Sequence, residues 1–370
     1  MTNDERINAI ALTLCEGIGR INAKRLIDEM GSATAVFENR LRLPELLPEL
    51  NQRMVDLLDC PDAFKRAEQE LAFCEKKNIQ CLTFQDEAYP SRLRECEDAP
   101  IVLFFKGHAD LNKLHVVSMV GTRKATEYGK QFCANFVRDL VTLCPDVLIV
   151  SGLAYGIDIH SHREAIANGL STVAVLAHGL DRIYPNAHRQ TAIKMLDNGG
   201  LLTEYLTGTN PDAFNFVERN RIVAGMADAT VVVESASKGG SLITAGLANS
   251  YNRDCFSVPG RINDEMSIGC NNLIKDNKAA LITQAEDLVN AMGWQQKGAK
   301  PEAIQRNLFA DLTPEETQIA KILKERGDLH MNNLTVEANL PIHKLTPILF
   351  SMEMKGVVKA LVGGVYHLLD

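Results

Sequence analysis

No run of roughly 18 apolar residues occurs in this chain, so no membrane span is expected. The opening segment, MTNDERINAI, starts on acids and lacks the basic segment and apolar stretch of a secretion signal, which points to synthesis and function in the cytoplasm. Cysteine pairs of the Cys-x-x-Cys type are missing. The nine cysteines are scattered, and most stand in apolar runs such as Phe73-Cys74, Phe132-Cys133 and Cys255-Phe256, so they read as reduced, buried thiols rather than metal ligands or disulfides. A basic excess is missing too. With 39 Lys and Arg against 47 Asp and Glu, the net charge is -8, which excludes a surface that is positive all over. Any nucleic-acid site must therefore be a local patch.

What is present begins with length. A chain of 370 residues suggests two or three domains and ample material for a central core. Helical spacing over residues 5–30, broken at Glu16-Gly17-Ile18-Gly19, predicts a helix, a tight turn and a second helix. This resembles a helix-hairpin-helix, whose exposed amides contact a phosphate backbone; the plain alternative is a bundle that only packs, and Glu16 and Glu29 dilute the local positive charge. A helical stretch then ends at Lys76-Lys77-Asn78, a strand follows near 79–84, and a connector with another short strand runs to Gly107. From 115 onward, apolar runs (HVVSMVG, VLIVSG, TVAVLAHG, GLLTEY, ATVVVES, CFSVPG) alternate with helical segments. That pattern predicts an α/β fold: an extended Rossmann-like, doubly wound, mostly parallel sheet covered on both faces. Residues 296–312 read as a polar linker. Beyond them, Thr313-Pro314 opens the first of three helical patterns, and two short strands about Gly363-Gly364 complete a winged helix. The expected domains are 1–80 (helical), 81–295 (Rossmann-like) and 313–370 (winged helix).

Ligands of doubly wound sheets bind beyond the carboxyl ends of the strands, where loops lead into helix N-termini. Four such turns are rich in small and polar residues: Gly121-Thr122-Arg123; Ser151-Gly152-Leu153-Ala154-Tyr155-Gly156; the turn from His178 through Arg182 to Pro185; and Ser237-Lys238-Gly239-Gly240-Ser241. Small residues let phosphates approach backbone amides, and Arg123 and Lys238 at separate strand ends supply countercharge for one ligand with several phosphates. Arg219-Asn220-Arg221, at what reads as a helix start, either holds phosphates or pairs internally with carboxylates. The candidate binding surface for such a ligand thus comprises Gly121, Thr122, Arg123, Gly152, Ala154, Tyr155, Gly156, Arg182, Arg219, Asn220, Arg221, Lys238, Gly239, Gly240 and Ser241. His160 and His162 are two residues apart on a helix, point to different faces and make a poor metal pair. His178 reads as a polar pocket wall. The first turn lacks Gly-x-Gly-x-x-Gly, and neither a metal nor a cofactor is expected.

The blocks VGTRKATEYG, VSGLAYGIDIHSHREAI, VLAHGLDRIYPNAHR, LLTEYLTGTNP, FVERNRIVAGMAD, VVVESASKGGSLITAGLA and VPGRINDEMSIGCNNLI resemble, in order, those of the DNA processing protein A (DprA, or Smf) family, over about residues 85–290. The resemblance implies a bacterial protein that binds single-stranded DNA during natural transformation, protects it and loads the recombinase RecA. It also implies a homodimer formed through the Rossmann-like domain, DNA contacts at Arg123 and Lys238, an N-terminal domain similar to sterile-alpha-motif or helix-hairpin-helix modules, and a winged helix. Members often carry a basic residue where this chain has Tyr155; the tyrosine offers base stacking in its place. The near balance of acids and bases over 313–370 does not mark a strong duplex binder and leaves protein contact open.

The leading expectation is a binding protein and recombination mediator without enzymatic activity. The competing class is a nucleotide-processing enzyme of phosphoribohydrolase type, which needs a positioned acid. Glu204 and Glu234 lie near strand ends, but outside the Gly-Gly-x-Gly-Thr-plus-glutamate setting of such enzymes. A nucleotide-sensing module is the third reading.

Overall fold

A computed structural model describes residues 2–46, 52–294, 312–361 and 364–369. The chain forms two compact units, residues 1–296 and 297–370. Among the described residues no helix is long and apolar enough to cross a membrane.

The first unit opens with the helix Asn3–Leu14, capped by Thr2, whose hydroxyl accepts from the Glu5 amide at 3.3 Å. The turn passes through Gly17 at φ 90°, and the helix Arg20–Met30 follows, closed by Gly31 at φ 85°. The helix, turn and helix expected over 5–30 are present. Glu5 is buried and clamps the next helix by accepting from the Ala33 and Thr34 amides at 2.7 and 2.9 Å. The helix Pro61–Lys77 reaches the sheet through buried Glu70, which takes the Arg66 guanidinium at 2.8 Å and the Thr207 hydroxyl at 2.6 Å. Ile10, Leu12 and Leu26 share one hydrophobic core with Phe104 and Phe105 of the sheet.

One cysteine expectation needs correction. Cys15 and Cys60 are joined by a disulfide, and with 45 positions separating them no short motif announces the pair. The other seven are free and buried. Burial pushes the Cys81 and Cys133 thiols up to about 12, which leaves them inert.

Among the described residues nine strands form one sheet: β1 (Gln80–Thr83), β2 (Val102–Gly107), β3 (His115–Val120), β4 (Val147–Ser151), β5 (Ser171–Val175), β6 (Gly200–Thr203), β7 (Ala229–Val232), β8 (Asp254–Ser257) and β9 (Ala280–Leu281). The spatial order is β1-β2-β6-β5-β4-β3-β7-β8-β9. Every pair from β6 to β9 is parallel, and β1–β2 and β2–β6 are antiparallel. The mostly parallel, doubly wound sheet is as expected, and β1 and β2 extend it at one edge. With only two residues, β9 carries too little pattern to read from sequence. Alternation sends neighbouring residues to opposite faces. Val116 and Val150 belong to the core cluster that also holds Ile222 and Val223, whereas Val117 and Ile149 belong to the one that holds Phe132, Phe136, Leu140 and Leu288.

The order places the site. From β3 the chain winds through β4 and β5 to β6 on one side, then returns to lay β7, β8 and β9 on the other. The reversal between β3 and β7 is a topological switch point, where the loops after two adjacent strands diverge and leave a crevice.

The second unit contains the helix Pro314–Arg326, the strand Leu329–His330, the helices Met331–Glu337 and Ile342–Met354, and the strands Val358–Leu361 and Val365–Leu368. This is the element order of a winged helix, with Val365–Leu368 central in a three-stranded antiparallel sheet. Thr313 and Glu316 form a reciprocal capping box at its start. Ile319, Leu323, Leu334, Leu345 and Leu349 supply its core. Apart from Leu312, the linker expected over 296–312 lies outside the described residues, as does Gly363.

Candidate nucleic-acid interface

A cleft of about 610 Å³ opens at the carboxyl ends of β3 and β7. Three loops are stitched together there. The Thr122 amide donates to the Glu234 carbonyl at 2.7 Å, and the Ile157 amide donates to the Thr122 carbonyl at 3.2 Å. Gly156, at φ 76°, lies so close to the Thr122 carbonyl that a Cβ would collide with it. At Gly152 a Cβ would occupy the place of the Arg219 guanidinium. The glycines therefore fix how the loops meet.

Eleven of the candidate residues line this cleft: Gly121, Thr122, Arg123, Gly152, Ala154, Arg219, Asn220, Lys238, Gly239, Gly240 and Ser241. Arg123 is exposed, with its guanidinium 5.1 Å from the centre of the Phe216 ring. Lys238 is exposed across from it, and neither cation has an acidic partner among the described residues. The helix Gly240–Ser250 begins at the cleft with Gly239 as an extended N-cap that supplies no side-chain acceptor; the Leu242 amide turns back on the Gly239 carbonyl at 3.1 Å, which leaves the Gly240 and Ser241 amides to meet an anion. The Ser241 hydroxyl donates to that of Ser235 at 3.0 Å.

Arg219 belongs to the floor. It is 4% exposed and donates to the Gly152 carbonyl at 2.6 Å and to the Val175 carbonyl, bridging the ends of β4 and β5. Burial pulls its pKa down, against the attraction of neighbouring Asp158. Burial likewise raises the Asp158 carboxyl, against Arg219 and the Ala154 amide. This pair was not singled out from sequence as a site feature.

Four candidates stand elsewhere. Arg221 is 3% exposed, donates to the Asp98 carbonyl at 2.8 Å and pairs with Glu204, so it faces the interior and not the cleft. The tripeptide is also placed differently from expectation: it lies well inside the helix Ala213–Gly225, not at its start, so successive residues point to different sides. Arg182 is exposed but tied to Asp181 at 3.0 Å and Asn210 at 2.8 Å, away from the cleft lining. Gly156 serves the loop junction described above. Tyr155 is 50% exposed in a small side groove with Arg123, Tyr184 and Phe216, its ring edge-on to His188 at 4.7 Å.

The structure adds an aromatic wall. Phe216 and Tyr184 line the cleft with ring centres 5.8 Å apart, joined by Val217 and Ile243, each 44% exposed. Sequence reasoning missed Phe216 and passed over Tyr184 within its turn. The signal was Phe214 and Phe216 in a chain with only 6% aromatics, at the start of a helix that follows a strand end.

The histidines hold structure. His178 is not a pocket wall: it is buried, with the Tyr184 amide donating to its Nε2 at 3.3 Å and its Nδ1 at 2.9 Å from the Gly179 carbonyl, so it anchors the loop that carries Tyr184. His162 is buried against the Thr172 hydroxyl at 2.7 Å and burial pushes it down to about 3, whereas His160 is partly exposed. No cluster of three metal-ligating side chains occurs among the described residues. Neither glutamate weighed as a catalytic acid lines the cleft. Glu234 accepts from the Thr126 amide and hydroxyl at 2.9 and 2.5 Å, and half-buried Glu204 is held by Arg221.

The family model described as DNA recombination-mediator protein A matches residues 80–293. The DNA processing protein DprA of Streptococcus pneumoniae is 39% identical over 204 residues, covering 55% of this chain and 71% of its own length. Protein Smf of Escherichia coli is 32% identical over 314 residues, covering 82% and 81%. Among solved structures, that of the S. pneumoniae DprA superposes with a TM-score of 0.58 at 34% identity, covering 74% of this chain and 98% of its own. DNA processing protein A of Helicobacter pylori, described for its single-stranded DNA binding mode, superposes with a TM-score of 0.53 at 28% identity, covering 58% and 96%.

Proposed function

Because this chain belongs to the DNA recombination-mediator protein A family, we propose that it binds single-stranded DNA across the switch-point cleft and passes the strand to a RecA-type recombinase. The observation that carries the reading is the meeting, within one cleft, of two exposed cations that have no acidic partner among the described residues with an aromatic wall. Phosphates meet Arg123, Lys238 and the amides that open the helix Gly240–Ser250. Unstacked bases lie against Phe216 and Tyr184, a geometry that a paired duplex cannot supply because its bases are already stacked. Arg219 and Asp158 contribute by fixing the loops beneath. The protein acts without chemistry of its own, in the cytoplasm, as a homodimer, and natural transformation is the process such a mediator serves.

The test is a competition between single-stranded and duplex oligonucleotides of one sequence, for the parent and for Phe216→Ala. The parent should prefer the single strand, and the variant should lose affinity for it by about 1–3 kcal/mol while its weak duplex binding stays unchanged. Equal affinity for both forms in the parent would refute the reading. Recombinase filament growth on strands coated with single-strand-binding protein, with and without this chain, tests the mediator step. Sedimentation of the same samples tests the dimer.

A further inference from the structure

A second groove, of about 410 Å³, lies on the opposite side of the helix Ala213–Gly225, where the Gly17–Arg20 turn of the N-terminal helices approaches the end of β6. Its lining is largely apolar, including Leu12, Ile18, Ile101, Val102 and Phe214. Its two carboxylates, Glu204 and Glu218, face Arg20, which lies 3.9 Å from Glu204 Oε1 and binds Glu218 Oε2. Arg221 reaches only the other Glu204 oxygen, from the interior. Glu204 Oε1 is buried with no hydrogen-bond donor, and no donor among the described residues serves Glu218 Oε1. Phe214, 71% exposed, stands at this groove one turn before Glu218 on the same helix face.

Such a groove has no spare cation for a phosphate, since Arg20 is taken by Glu218 and Arg221 by Glu204, and it suits a flat ligand that brings N–H donors to the remaining carboxylate oxygens. A carboxylate with a free oxygen favours two adjacent donors. Guanine presents that pair at N1–H and the exocyclic amine, whereas adenine, cytosine and thymine each set an acceptor beside their donor. The same helix carries Val217 and Asn220 on the cleft side and Phe214 and Glu218 on the groove side, so the two sites are separated by the width of one helix. We propose that the groove receives a guanine base of the strand held in the cleft, stacked on Phe214 and hydrogen-bonded to Glu218, with Arg20 giving way. This rests on the strand-binding reading of the cleft. A free guanine nucleoside presents the same chemistry, and the test separates the two sources.

The experiment measures binding of an oligo-dT strand and of the same strand with a single dG moved along it. For the parent, dG at one or two positions should tighten binding about fivefold or more, and deoxyinosine, which lacks the amine, should recover part of that gain. Glu218→Gln and Phe214→Ala should abolish the gain while leaving oligo-dT affinity unchanged. Arg20→Ala, by removing the competitor for Glu218, should keep or enlarge it. That opposite response separates recognition from mere misfolding. Free guanosine should compete with the dG strand and leave the dT strand bound; competition with both, or with neither, would overturn the assignment of the strand base. If the parent binds oligo-dT but gains nothing from dG at any position, the groove proposal fails and the cleft reading stands. If the parent binds neither strand, the cleft reading itself fails.

Discussion

Arg123 and Lys238 stand exposed at the ends of β3 and just beyond β7, without acidic partners among the described residues, whereas Arg219 and Arg221 are 4% and 3% exposed and direct their hydrogen bonds to backbone carbonyls and Glu204. The same residue type serves two ends. On the rim, a solvated cation keeps its charge available and forfeits little stability, since exposed charges contribute little to folding. In the floor, a desolvated guanidinium must find acceptors for its donors, and once it has them it holds loops rather than ligands.

The widest separation between rim and floor should come from Arg221→Ala. Removing it leaves Glu204 buried without its main partner, and the expected loss of unfolding free energy in urea is about 3–5 kcal/mol; a loss within the range of a surface substitution would dissolve the distinction. The second unit offers a floor of its own. Although burial works against it, the Lys355 ammonium, the Thr313 amide and the Ser351 hydroxyl hold the Glu316 carboxyl down at about 2. A depressed carboxyl contributes stability that is present above the unfolded value of about 4.5 and is lost as pH falls toward 2. Protection from hydrogen exchange over residues 313–361, taken relative to the intrinsic exchange rate at each pH, should therefore fall across that window, and Glu316→Gln should remove the dependence.

Rim substitutions should act on binding alone. Arg123→Ala and Lys238→Ala should each weaken single-strand affinity, with unfolding free energy unchanged to within about 0.5 kcal/mol. Arg182→Ala should have the smallest effect, because Asp181 and Asn210 already occupy its guanidinium outside the cleft. Strand affinity that falls as far for Arg182→Ala as for Arg123→Ala would extend the rim beyond the cleft.

Legibility in the sequence followed the same division. The parallel strands were readable because β3, β4 and β5 are continuous apolar runs, and the cleft turns because glycines and small residues follow those runs directly. The fate of each arginine was not readable, since it depends on which side of the helix Ala213–Gly225 it occupies and on acceptors such as the Gly152 and Asp98 carbonyls, which come from distant segments. Phe216 was missed because an aromatic near a helix start reads as core until its neighbours are known. The Cys15–Cys60 disulfide was hidden by separation along the chain. The acidic total pointed away from nucleic acid, yet it says nothing about a cleft in which Arg123 and Lys238 have no acidic partner among the described residues.

The central claim, that two solvated cations on the rim hold the phosphates of a single strand, is tested most directly by the salt dependence of strand binding in the Arg123→Ala/Lys238→Ala double variant. Each lost phosphate contact should make the slope of log affinity against log salt shallower by about 0.7, so the double variant should lose about 1.4 relative to the parent while unfolding at the same urea concentration. An unchanged slope would contradict the account.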